Sequence, residues 1–97
     1  MADTSQISPP NPAQELSGLE ANFSTLVLSI GSSAAMALGL APNPATHKIE
    51  KDLHLARFNI DLLRMLKEKT KGNLAADEQK FIDSICTDLQ MKFVAGN

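Results

Sequence analysis

Tryptophan and tyrosine are absent from this 97-residue chain, cysteine occurs once, and no lysine or arginine precedes Lys48. The lone Cys86 excludes an intramolecular disulfide and a cysteine cluster for zinc, which suits a reducing cytoplasm. A secretory signal needs a basic start, and none is present. A formal net charge of −2 with few aromatics argues against nucleic acid, whose partners carry more cation and stacking rings, and against acidic membrane surfaces. No nucleophile–base pair, metal-ligand spacing or phosphate loop occurs, so neither catalysis nor a cofactor is expected. His47, beside Lys48, reads as a solvated loop residue. The expected compartment is the cytoplasm.

What the chain does contain is helix. From Asp52 to Gly72 the run DLHLARFNIDLLRMLKEKTKG has an N-cap in Asp52 and a C′ residue in Gly72. At about 100° per residue, Leu53, Ala56, Ile60 and Leu63 form one apolar stripe, and Leu55, Phe58, Leu62, Met65 and Leu66 a second. His54, Arg57, Asp61, Arg64 and Glu68 share the solvent arc, with Arg57–Asp61 and Arg64–Glu68 as i,i+4 pairs. A helix this apolar needs neighbours on two sides, so it is the central helix of a small all-α protein. Asn59 points between the stripes as a buried polar residue, and hydroxyls of the preceding helix are its expected partners.

That preceding helix starts at the cap Asn22, and no charge occurs from Ala21 through Thr46. Phe23, Leu26, Val27, Ile30, Ala34, Ala37 and Leu38 make its strong face. The reverse face carries Ser24, Leu28, Gly31, Ser32, Ala35, Met36 and Gly39, with nothing to hold it in water. Such a helix is buried all round or lies in lipid, and about 18 uncharged residues is long enough to be a membrane-span candidate. Against lipid stand the hydroxyls of Ser24, Thr25, Ser29, Ser32 and Ser33 and the missing interfacial aromatics. Self-association is the expected cover, a homodimer being favoured. Its interface is placed on Leu28, Gly31, Ser32, Ala35, Met36 and Gly39, small residues that let backbones approach closely. Tight packing within one subunit accounts for the same small residues equally well.

Pro42 and Pro44 make residues 40 to 51 a loop. A third helix follows Gly72-Asn73, with Phe81, Ile82, Ile85, Cys86, Leu89 and Phe93 on a single apolar face. Cys86 there is a buried hydrophobe without a basic neighbour to activate it. Residues 1–21, rich in Pro, Ser and Asn, read as a disordered N-terminal tail, with a short helix after Asn11 as its one candidate element.

The combination FSTLVLSIGSSA, then LHLARFNIDLLRMLKEKTKGNL, then DLQMKFV resembles the bacterial domain-of-unknown-function family eighteen forty-four. The likeness covers Phe23 to Val94, most specifically Ile60 to Leu74. It implies a small helical fold and no chemistry. Where that family has Thr, Ser or Asp after Gly72-Asn73-Leu74, this chain has Ala75, so the capping box with Glu78 is expected to be incomplete.

The fold expected is therefore all-α, with three helices near 22–40, 52–71 and 75–94 in one domain spanning 22–95, packed into a homo-oligomeric bundle. The function expected is an interaction or structural module whose partner is itself or another protein. Two alternatives are carried. The segment His47 to Gly72 has seven basic residues against four acidic, so Arg57, Arg64, Lys67, Lys69 and Lys71 form a candidate anion patch for a nucleic-acid- or ribosome-associated role. The other is a membrane anchor through the uncharged helix.

Overall fold

The computed structural model describes residues 20–96, in which three α-helices follow one another: α1 (Phe23–Ala37), α2 (Leu53–Lys69) and α3 (Ala76–Gly96). Of the expected tail only Glu20 and Ala21 are included. The short helix proposed after Asn11 lies outside the described residues.

Both caps read from the sequence at the starts of α1 and α2 are present. Asn22 Oδ1 accepts from the Thr25 N–H at 2.9 Å, and Asp52 Oδ1 from the Leu55 N–H at 3.1 Å, each satisfying a donor that has no partner within its helix. The C-terminal ends differ from expectation. α1 stops at Ala37 because Gly39 adopts φ +82°, which turns its N–H onto Met36 C=O and the Leu40 N–H onto Ala35 C=O, both at 3.0 Å. This is a Schellman motif, and Gly39 is its left-handed C′ residue. α2 stops at Lys69, earlier than Gly72 as C′ would require. Thr70 Oγ1 donates to Leu66 C=O at 2.8 Å, and Gly72, at φ +83°, serves the following turn, closed by the Asn73 N–H on Thr70 C=O at 2.9 Å.

The α1–α2 connection is more than a spacer. Asp52 donates its N–H to Ala37 C=O at 2.8 Å, so the residue that caps α2 also satisfies a free carbonyl at the end of α1. Between them Asn43 organises the turn. Its backbone bridges to Lys48, its C=O accepts from the His47 N–H at 2.7 Å, and its Oδ1 accepts from the Ala45 N–H at 2.8 Å. His47 is exposed and takes φ +60°, uncommon for a residue with a Cβ, where this tight turn reverses the chain.

At the start of α3, Glu78 Oε1 accepts from the Ala75 N–H at 2.9 Å, which is half of a capping box. Ala75 cannot return the bond, and the Glu78 N–H turns to Asp77 Oδ1 at 3.0 Å. At the other end α3 runs past 94 to Gly96, whose C=O accepts from Lys51 Nζ at 3.2 Å, a cation at the negative end of the helix dipole.

The core consists of Val27, Ala34, Ala37 and Leu38 with Ala56, Ile60 and Leu63, closed by Ile82, Cys86 and Leu89. α1 packs most extensively on α2, and α3 lies against both. Leu63, Ile82 and Val27 are fully buried, so truncating Leu63 to alanine costs about 2–5 kcal/mol. Burial also raises the Cys86 thiol pKa, as for a packed hydrophobe. At the edge of the α2–α3 contact, Lys67 Nζ stands 3.1 Å from Asp83 Oδ1, and Gln79 Nε2 donates to the same oxygen at 3.1 Å. The Lys67 ammonium is the main reason that the Asp83 carboxyl titrates below its ordinary value.

Two measurements check this fold. Ala75→Thr supplies the missing half of the capping box and is expected to stabilise the protein by roughly 0.5–1 kcal/mol; an unchanged or lower denaturation midpoint counts against Ala75 as the N-cap. For Asp83 the folded pKa is depressed, so its contribution is present above the unfolded value and disappears as pH falls through the folded one. Asp83→Asn is therefore expected to lower the urea midpoint slightly at neutral pH and to converge on wild type as pH falls through the depressed folded value of Asp83. A difference that persists unchanged at acid pH places its origin elsewhere.

Candidate functional site

The side chains that stand out are apolar and uncovered. On α2 the stripe Ala56, Ile60 and Leu63 is buried as expected, but Leu55 is 47% exposed, Phe58 57% and Met65 47%, with Leu62 half-buried between them. Among the described residues the second stripe therefore lacks the neighbour that its composition calls for. On α1, Leu26, expected on the inward face, is 47% exposed.

Helix geometry relates these residues. α3 meets α1 at Gly31 and meets α2 along the flank of Ile60, Arg64 and Lys67. At 100° per residue, Leu26 lies on the flank of α1 opposite Gly31, and Leu55, Phe58, Leu62 and Met65 lie on the flank of α2 opposite Arg64. Equal steps away from the Asp52–Ala37 hydrogen bond bring Leu26 level with Leu62 and Met65 across the antiparallel hairpin. Together they form an uncharged side of the hairpin turned away from α3, reaching a cation only at Lys69.

The interface residues read from the sequence divide. Gly31 is buried within the chain, where a Cβ would stand 3.4 Å from Ile85 Cγ2 and 4.0 Å from Leu89 Cδ1, so tight packing in one subunit explains this glycine. Gly39 has its duty in the helix cap. Leu28, Ser32 and Ala35 line an open groove whose other wall is Ile85, Asp88 and Leu89 of α3. Leu28 and Ser32 are exposed there, Ala35 is half-buried, and Met36 is half-buried on the adjoining surface of α1.

Asn59 is buried, at 7% exposure, as expected. Its partner is a correction: Nδ2 donates to Leu55 C=O of its own helix at 3.0 Å, not to a hydroxyl of α1. An amide can reach back one turn this way because i and i+4 share a helix face, so Asn59 satisfies its donor without a second helix.

The candidate anion patch is interrupted by carboxylates. Arg57 and Arg64 both face Asp61, at 3.4 and 3.8 Å, and Lys67 faces Asp83. Arg64 thus pairs one turn back with Asp61, not forward with the expected Glu68. Only Lys69 and Lys71 of the five stand without a salt bridge among the described residues, both exposed near the C-terminal end of α2. The membrane alternative is also corrected. α1 has 15 residues, about 22 Å of helix against a hydrocarbon core of about 30 Å, and no helix among the described residues is long and apolar enough to cross a membrane. The left-handed Gly39 ends it too early.

Neither the curated proteins nor the solved structures contain a match to the chain. Residues 20–95 match a family described as a domain of unknown function, DUF1844, a span that takes in α1, α2, all of α3 but its last residue, and the turns that join them. The chain belongs to the DUF1844 family of small helical domains.

Proposed function

We propose that this protein is a homo-oligomeric interaction module without catalysis, a dimer whose subunits meet through the uncharged side of the α1–α2 hairpin. The observation that carries this reading is the uncovered stripe of Leu55, Phe58, Leu62 and Met65 on the helix that is otherwise the most central in the fold. Contiguous apolar surface of this kind marks interaction sites in soluble proteins. A second copy suits it, because a twofold interface sets each patch against itself, and a patch without charge meets no like charge there. Covering the exposed halves of Leu26, Leu55, Phe58 and Met65 in both copies is worth about 6–12 kcal/mol gross, set against about 4–15 kcal/mol of lost freedom on association. A dimer of moderate affinity fits those terms. The hydroxyl-bearing outer surface of α1, with Thr25 and Ser29, would supply its polar rim. A nucleic-acid role has less support, since Asp61 and Asp83 stand among Arg57, Arg64 and Lys67 and interrupt the positive surface that a continuous phosphate backbone needs.

Light scattering tests the proposal. Wild type at about 100 μM should have the mass of a dimer, and Phe58→Glu should be a folded monomer, because a buried unpaired charge costs several kcal/mol. A monomeric wild type at that concentration overturns self-association. Dissociation by Ala35→Arg with Phe58→Glu still dimeric would move the interface to the α1–α3 groove and overturn the face assigned here.

A further inference from the structure

On the opposite flank of α2 a second surface has a different character. A groove between α2 and the C-terminal half of α3 is lined by Arg57, Ile60, Asp61, Arg64, Phe93 and Val94, with Gln90 completing the α3 wall. Ile60 is buried and Phe93 half-buried at its base, while Val94 is 73% exposed. The two arginines stand on the rim, seven residues apart on one helix, a separation of about 10 Å along the axis.

We propose that this groove docks an acidic amphipathic helix of another protein, with carboxylates seven residues apart on Arg57 and Arg64 and an apolar side chain between them against Ile60, Phe93 and Val94. Charge complementarity selects this occupant. Two guanidiniums share one carboxylate, that of Asp61, at 3.4 and 3.8 Å, and the α3 wall contributes the uncharged Gln90 and Val94. The arginine side chains are 64% and 61% exposed, where an ion pair is worth little, and each guanidinium retains donors for a bidentate carboxylate. On α3, Asp83 is engaged by Lys67 and Gln79. A groove between two helices also matches the i, i+3, i+4, i+7 anchors of a helical ligand. Because the groove and the uncharged hairpin side lie on opposite flanks of α2, one chain can use both at once.

The test is fluorescence anisotropy with the full chain and a labelled helical peptide carrying Glu at its first and eighth positions and Leu at its fourth and fifth. Micromolar binding is expected, weakened about tenfold or more in R57A/R64A, weakened by salt, and weakened when Gln replaces Glu in the peptide. Phe58→Glu should bind the peptide as wild type does, which separates this site from the self-association surface. Both arginines are exposed, so the double variant should keep its circular dichroism spectrum and serve as a folded control. Absence of binding at about 100 μM protein, which sets a Kd weaker than that concentration, overturns the proposal. So does equal binding by R57A/R64A, or an RNA oligonucleotide that binds through the two arginines when the peptide does not.

Discussion

Close packing of α1 on α2 is the constraint on which the rest of the structure depends. It is made with alanine on both sides, Ala34 and Ala37 on α1 and Ala56 on α2, all essentially buried, with Val27, Ile60 and Leu63 filling the seam. Small side chains bring the two backbones near enough for Asp52 to donate directly to Ala37 C=O, and that bond sets how the two helices stand in register. Larger residues at those alanines would hold the helices apart, and strain of that kind costs typically 1–3 kcal/mol per site. α3 then closes one side of the pair through Ile82, Cys86 and Leu89.

A three-helix arrangement has a geometric consequence for α2. With α1 on one flank of its buried stripe and α3 on the other, no third helix among the described residues is left for Leu55, Phe58, Leu62 and Met65. Those residues are more apolar than an exposed helix face needs to be, while the flank under α3 carries Arg57, Asp61 and Arg64. α2 is thus asymmetric about its core stripe, uncharged on one side and ionic on the other. The two surfaces differ in chemistry, one of them apolar and the other two arginines beside an apolar base.

The polar side chains mostly serve local structure. Asn22, Asp52 and Glu78 satisfy helix N-termini, Thr70 and Lys51 satisfy C-terminal carbonyls, and Asn43 folds the connecting loop. Asn59, the buried amide, stays within its own helix. With these groups occupied inside one chain, the residues left for recognition include the uncovered apolar ones, the two arginines that share Asp61, and Lys69 and Lys71.

Short-range physics made the elements legible in the amino-acid order alone. Asn22 and Asp52 mark helix starts because their side chains reach only three residues ahead, and the stripes of Ala56, Ile60 and Leu63 and of Ile82, Cys86 and Leu89 follow from the 3.6-residue period. Family membership was likewise carried by sequence. What tertiary structure decided was which of several equivalent faces would be covered. Periodicity showed two apolar stripes on α2 but could not say that only one would find a neighbour, and it could not distinguish Gly31 packed under Ile85 from Gly31 facing another chain. The end of α1 depended on where the backbone turned left-handed, at Gly39, and the Lys67–Asp83 ion pair on the docking of α3. The choice of covered face and the Lys67–Asp83 pair depend on contacts between residues far apart in the chain, which local pattern does not encode.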